Sequence, residues 1–157
     1  MSTASAIDPT SLPSLELKNI VVAVSLKEGC ANTAAYAGQL ARIFKSHLHV
    51  VYVHDPQPLS EIAGSEAMTI IEQQQRLAEQ NLELLVTELQ QIHPDCSGQF
   101  LASEPAEEIT RYANGHHADL VITASHHRRF LARFFALDYA LRIMHHASCP
   151  VLVVAGK

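Results

Sequence analysis

Five short apolar runs, rich in valine, isoleucine or leucine, recur along the chain and predict five β-strands. They are NIVVAVSL at 19–26, HLHVVYVHDP at 47–56, GQFLAS at 98–103, ADLVITA at 118–124 and PVLVVAG at 150–156. The first run is continuous rather than alternating, which is typical of a parallel strand covered on both faces. Between the runs, apolar residues recur at helical spacing and predict four amphipathic helices.

The spacing of apolar residues also predicts which face of each helix packs inward. Pro105 is expected in the first turn of the third helix, and Gly115 is expected to close that helix. Helices alternating with strands favour right-handed crossovers and a doubly wound α/β fold. We therefore predict a five-stranded parallel sheet in the order 3-2-1-4-5 with helices on both faces. The predicted inward residues are Ala34, Ala37, Leu40, Ala41 and Phe44, then Ile71, Ala78, Leu82, Leu85, Leu89 and Ile92, then Ile109, Tyr112 and Ala113, and finally Leu137, Leu141 and Met144.

Length and composition indicate one globular domain. The chain has 157 residues, of which 48% are hydrophobic and 17% charged, so one core suffices. Residues 1–16, rich in Ser, Thr, Pro and Ala, predict a flexible arm, which leaves residues 17–157 as the domain. A formal net charge of −5 argues against nucleic-acid binding, since a phosphate backbone is held mainly by Lys and Arg.

The cellular location is predicted from features that the sequence lacks. No cationic and apolar leader begins the chain, and no apolar run approaches the thickness of a bilayer. The three cysteines, Cys30, Cys96 and Cys149, are widely separated and form no CxxC pair, which suits a reducing compartment. We therefore expect a cytoplasmic protein without membrane contact, and a packed thiol at Cys149.

In a sheet of this order, a ligand crevice lies beyond the carboxyl ends of the strands where the winding reverses, between the first and fourth strands. That rule places Ser25 and the segment 124–140, ASHHRRFLARFFALDYA, at the crevice. The segment contains no glycine and is rich in arginine, histidine and phenylalanine. It therefore lacks the residue type that usually lets backbone amides approach a phosphate.

The sequence resembles the universal stress protein family from about residue 17 onward. The runs IVVAVSL, LHVVYVHDP and PAEEITRYANGHHADLVITAS are similar to the family's first strand, second strand, and third helix with fourth strand. The ending RIMHHASCPVLVV resembles the family's closing helix and strand. The resemblance implies the five-stranded fold, a dimer built through the last strand, and no established catalytic activity.

The family's ATP-binding members carry a G-x2-G-x9-G-[ST] motif after the fourth strand. Laid on this chain without gaps, its glycines fall on Ala124, His127 and Leu137, and its hydroxyl residue on Asp138. The acidic residue that often ends the family's first strand is Ser25 here, and only the backbone position near Val53, which would meet adenine, fits the pattern. A carboxylate at Asp138 would repel a phosphate by about 4 kcal/mol at 4 Å and an effective dielectric of 20. We therefore predict no ATP and no other cofactor.

Side chains of the same segment leave an alternative open. Arg128 and Arg129, together with neighbouring histidines such as His127, are able to hold an anion where the usual loop employs backbone amides. This hypothesis makes the protein a sensor of AMP or ATP with a rebuilt pocket. The adjacent pairs among the ten histidines diverge on helices and strands, and His47 and His49 lack further ligands in their local sequence, so no metal site is predicted.

The last strand predicts an interaction surface of its own. An apolar edge is a template for pairing unless something covers it, and antiparallel pairing with a second copy covers it symmetrically. The preferred interpretation is a non-enzymatic homodimer that acts in stress response through contacts with a protein partner that the sequence does not identify. The predicted interface residues are Val151, Leu152, Val153 and Val154.

Overall fold

The computed structural model describes residues 8, 10, 14–26, 30–54, 65–125 and 132–155, and for residues 65–67 and 132–138 it describes the backbone alone. Within these ranges, strands and helices alternate along the chain. No helix among those described combines the length and apolar composition needed to span a membrane. The elements are β1 Asn19–Val24, α1 Cys30–Phe44, β2 His47–His54, α2 Ser65–Ile92, β3 Cys96–Ala102, α3 Pro105–Gly115, β4 Leu120–Ser125, α4 Ala132–His146 and β5 Val151–Ala155.

The five strands form one parallel sheet in the order β3-β2-β1-β4-β5, which confirms the predicted fold. The chain adds β2 and β3 on one side of β1 and then crosses back to add β4 and β5 on the other. The winding direction therefore reverses between β1 and β4. Ile20, Val21 and Val22 of β1 are completely buried, as expected for a central strand covered on both faces.

Each face of the sheet has its own apolar core. Even-numbered residues of β1 pack with α1 and α2, while Val21 and Ala23 pack with α3 and α4. Small residues on α1 permit close packing against α2. A Cβ added at Gly38 would lie 3.2 Å from Leu89 Cδ2, so even a methyl group would require the Leu89 side chain to move by a few tenths of an ångström.

The ends of α3 show how local sequence sets its limits. The Glu104 carboxylate accepts hydrogen bonds from the N–H groups of Ala106, at 3.4 Å, and Glu107, at 2.9 Å, and Pro105 occupies the first turn as predicted. Gly115 is the last helical residue, but it does not supply the left-handed conformation expected of a terminating glycine. That conformation falls on His117, whose φ is 51°, so the helix ends at Gly115 as predicted, but the left-handed residue follows two positions later.

The predicted inward face of α4 is wrong. Ile143 is completely buried and Ala140 is 3% exposed, whereas Leu141 and Met144 are 38% and 45% exposed. The Leu137 side chain lies outside the described residues. Apolar residues occur all around this helix, so their spacing does not single out one face; packing of Ile143 against the core with Val121 decides it.

The predicted boundary between arm and domain stays a prediction, since most of residues 1–16 lie outside the described residues. Leu17 packs against the core on the α1 and α2 face. Its carbonyl accepts a hydrogen bond from the Ser46 hydroxyl, which is fully buried. The chain is therefore joined to the sheet by residue 17, two residues before β1 begins.

Candidate functional site

The candidate site is the crevice at the carboxyl ends of β1, β2 and β4, where the winding reverses. Ser25 directly follows β1, Val53 is the penultimate residue of β2, and Ala124 is the penultimate residue of β4. The structure thus brings together three of the eight predicted pocket positions. It leaves His127, Arg128 and Arg129 outside the described residues.

Ser25 contributes a polar atom that the fold does not satisfy. Its Oγ is buried and has no hydrogen-bond partner in the part of the chain that the structure describes. The next residue, Leu26, adopts a left-handed backbone with φ of 54°, which costs about 1–2 kcal/mol for a residue other than glycine. The Leu26 side chain packs against the core and offsets part of this cost. The exit from β1 therefore combines backbone strain with an unpaired hydroxyl, a combination often found at binding sites.

His54, the last residue of β2, adds a second unsatisfied atom that sequence analysis missed. Its Nε2 is buried, and no described residue forms a hydrogen bond with it. Its ring is stacked on Phe100, with centroids 6.1 Å apart, and the Tyr52 ring lies 5.4 Å from Phe100. Burial raises the pKa of the Tyr52 hydroxyl, which therefore stays protonated. The alternation of β2 could have placed His54 on the face of Tyr52, but the stacking partner comes from β3, 46 residues later.

The backbone near Val53 is open toward the crevice. Pairing between β1 and β2 ends at Val24 with Tyr52, whereas β2 continues to His54. The His54 carbonyl accepts a hydrogen bond from Ser103 N–H at 3.1 Å, so its backbone groups point toward β3. Because successive residues of a strand point their N–H and C=O groups to opposite neighbours, those of Val53 point toward the β1 side.

The remaining predicted positions lie on β4 and α4. Ala124 is half-buried and pairs in register with Val154 of β5. Leu137 and Asp138 lie inside α4, in its second turn, because the helix begins at Ala132. They are therefore beyond the first-turn N–H groups that a helix offers to an anion.

The described residues give little support for a metal site or for a nucleophilic thiol. Among the described residues, no group of three His, Cys, Asp or Glu side chains is arranged to hold a metal ion. Burial raises the pKa values of the Cys30 and Cys149 thiols, and burial with the Asp95 carboxylate raises that of Cys96 to about 11. All three thiols are free and protonated near neutral pH, which agrees with the interpretation of Cys149 as a packed thiol.

The fold and crevice define the class: a doubly wound α/β domain with a potential ligand site at its strand switch point. The sequence model of the universal stress protein family matches residues 16–155. The chain therefore belongs to the universal stress protein family.

Known proteins that resemble this chain lie in the same family. It is 26% identical over 149 residues to a universal stress protein of Methanocaldococcus jannaschii, covering 87% of this chain and 81% of that protein. The crystal structure of a universal stress protein in complex with cAMP matches with a TM-score of 0.72 and 13% identity, covering 91% of this chain and 100% of that one. The universal stress protein from Archaeoglobus fulgidus in complex with dAMP matches with a TM-score of 0.60 and 22% identity, covering 88% and 98%.

Proposed function

We propose that this protein is a cytoplasmic, non-enzymatic universal stress protein that does not bind ATP and acts as a homodimer through contacts with other proteins. The observation that carries this proposal is the apolar edge formed by β5. This strand pairs with β4 on one side only and is the last strand of the sheet. Val151, Leu152 and Val154 are half-buried, and Val153, at the centre of the strand, is 37% exposed.

A second copy is the partner that this edge fits best. An unpaired parallel-sheet edge presents a row of backbone N–H and C=O groups, and a two-fold axis lets two identical edges satisfy each other. The strand carries no charge between Val151 and Ala155 that would oppose such pairing. Antiparallel pairing about the strand centre would bring the two copies of Val153 close to the axis.

Sedimentation equilibrium of wild type and Val153→Lys tests the dimer. The substitution places like charges near the axis, which costs several kcal/mol, and should weaken the dimer by at least about a hundredfold. Ile43→Lys is the matched control, since Ile43 is 73% exposed on α1 and lies away from β5. Equal association of the two variants, or a monomeric wild type, would contradict the proposed interface.

The absence of ATP binding is supported by residue types and by their positions. A glycine motif would need to be matched at Ala124, His127 and Leu137, and each of these residues carries a side chain. Leu137 and Asp138 also lie in the interior of α4 rather than at its N-terminus. The protonated thiols described above support the proposal that the protein performs no covalent catalysis.

A second candidate function is favoured by the unsatisfied atoms of the crevice. The buried Ser25 Oγ and His54 Nε2 have no partner among the residues that the structure describes, and the backbone groups of Val53 point to the β1 side. Two solved relatives of the same fold hold cAMP or dAMP. On this hypothesis the protein is a sensor that binds an adenine nucleotide, with the phosphate held by Arg128 and Arg129.

Nuclear magnetic resonance of the 15N-labelled protein tests the second candidate by locating any bound nucleotide. Saturable shifts on adding AMP or cAMP, confined to Ser25, Val53 and His54, would support a crevice site. Val21, in the same sheet but at its opposite end, is the internal control because the crevice ligand should leave it unchanged. Shifts scattered over the surface without saturation would rule out a specific nucleotide site.

A further inference from the structure

Four aromatic rings form a cluster at the amino end of β2, far from the crevice. The histidine cluster consists of His47 and His49 from β2 and Tyr112 and His116 from α3 and the residue after it. The His49 ring lies 4.4 Å from His47, 5.3 Å from His116 and 5.7 Å from Tyr112, measured between centroids. Tyr112 and His116 are stacked at 3.9 Å. The cluster therefore joins the last turn of α3 to the sheet.

The outer rings of the cluster are fixed by hydrogen bonds. His47 Nδ1 lies 2.5 Å from Asp95 Oδ1, and its Nε2 lies 2.9 Å from Ser97 Oγ. His116 Nδ1 donates to the carbonyl of Tyr112 at 2.8 Å. The two rings that flank His49 are therefore held in place.

His49 occupies the centre and is the least satisfied member. It is 8% exposed, its Nδ1 lies 3.1 Å from the Tyr112 hydroxyl, and its Nε2 is buried with no partner among the described residues. A neutral ring leaves one weak acceptor unpaired, whereas a charged ring would bury a positive charge and an Nε2–H donor that no described residue accepts. The surroundings therefore favour the neutral ring.

We propose that the histidine cluster is a proton-operated latch: with His49 neutral it holds the last turn of α3 on β2, and uptake of a proton by His49 in acid releases that turn. The only species that the histidine cluster has to bind in this proposal is a proton, which His49 takes up. The latch lies at the opposite end of β2 from the crevice, and its action requires neither a nucleotide nor a dimer.

The groups facing His49 determine the direction of the effect. His47 comes from β2, Asp95 from the connection before β3, and Tyr112 and His116 from the α3 side, while its register neighbours Val21 and Ser97 carry no charge. Burial, with help from His47 and His116, lowers the pKa of His49 from 6.5 to about 4, and Asp95 opposes this only in part.

The direction of the pH dependence follows from the pKa of His49 in two states: the closed state, with the last turn of α3 on β2, and the released state, with that turn free. A released ring has an ordinary pKa near 6.5, so the released state binds the proton more tightly than the closed state. The latch is at full strength above pH 6.5 and weakens as the pH falls from there toward 4. Within this window each pH unit favours release by at most about tenfold.

Release would be transmitted beyond the cluster. Asn114 lies between Tyr112 and His116, and its Oδ1 accepts hydrogen bonds from Ser148 N–H at 3.1 Å and Ser148 Oγ at 2.7 Å. Ser148 lies three residues before β5. Loosening the last turn of α3 therefore also removes the hydrogen bonds that hold the approach to β5.

Hydrogen exchange of the full chain tests the latch, with rates corrected for the intrinsic effect of pH. Between pH 7 and pH 5 we expect the opening of the turn at residues 112–116 to increase about twentyfold in wild type. His49→Gln, which keeps a neutral polar group but cannot take up the proton, should remove this dependence. His145→Gln, at an exposed histidine of α4, should retain it. Equal pH dependence in wild type and His49→Gln overturns the proposal.

If His49→Gln does not fold, a pH titration of the His49 imidazole in the wild-type protein tests the proposal instead. The imidazole resonance of His49 should titrate near pH 4, well below the ordinary histidine pKa of 6.5. Protonation of His49 near pH 6 while the amides of residues 112–116 stay protected would show that the charged ring is accommodated in place. That result would exclude a latch.

Discussion

The two ends of β2 each bury an imidazole nitrogen without a partner, at His49 near the amino end and at His54 at the carboxyl end. His49 is enclosed by three rings that are themselves hydrogen-bonded. His54 is the last residue of β2 and is stacked on Phe100. An imidazole nitrogen without a partner therefore has a different consequence at each end. In the closed cluster around His49 it makes the packing depend on pH, whereas at the end of β2 it leaves a polar atom that a ligand could bind.

The backbone shows the same contrast between the two ends of the sheet. At the amino end, Asp119 Oδ2 accepts hydrogen bonds from the N–H groups of Lys18 at 2.7 Å and Asn19 at 2.9 Å. His93 Nε2 donates to the Ser46 carbonyl at 2.5 Å. At the carboxyl end, Ser25 has no such bond. The amino end is thus the anchored end, and the carboxyl end retains unsatisfied groups.

The largest effect is expected from Asp119→Ala, which removes the acceptor shared by Lys18 and Asn19. Two N–H bonds to a charged acceptor are lost at the start of β1, so the free energy of unfolding should fall by about 2–3 kcal/mol in urea denaturation. Glu16→Ala is the control, because Glu16 pairs with Lys18 only at the exposed surface. A loss below about 0.5 kcal/mol would show that the amino end is not anchored by this carboxylate.

Two serine substitutions, one at each end of the sheet, should change the free energy of unfolding in opposite directions. Ser46→Ala removes a buried hydroxyl that donates to Leu17, and should lower the free energy of unfolding by about 1 kcal/mol. Ser25→Ala removes a buried hydroxyl with no partner, and should raise it by about 1 kcal/mol. Thermal and urea unfolding measure both. Destabilisation by Ser25→Ala would mean that the fold itself satisfies this hydroxyl.

The smallest effect is expected where α3 begins, after the carboxyl end of β3. Arg142 Nη1 lies 2.9 Å from Glu104 Oε1, and Nη2 lies 3.2 Å from Oε2, but both side chains are partly exposed. Arg142→Ala should cost about 0.5 kcal/mol and less in high salt. Glu104→Ala should cost about 1 kcal/mol, because it also removes the N-cap of α3. No loss in Arg142→Ala at low or high salt would show that the ion pair contributes nothing.

Sequence patterns predicted the sheet because the strands of this fold are short apolar runs separated by amphipathic helices. They failed on α4, where apolar residues surround the helix and only packing selects Ile143 over Leu141.

For the candidate sites, sequence patterns placed His47 and His49 on one face, since residues two apart on a strand share a face. They did not find His116 or Asp95, which reach the cluster only through the sheet register and the position of α3. His54 was missed for the same reason.

Isothermal titration of purified, nucleotide-stripped protein with ATP, AMP and cAMP tests the central claim most directly. Arg128→Ala/Arg129→Ala serves as the matched variant. We expect no saturable heat with any of the three nucleotides in either protein. Micromolar binding by wild type that disappears in the double variant would contradict the preferred function and make the protein a nucleotide sensor.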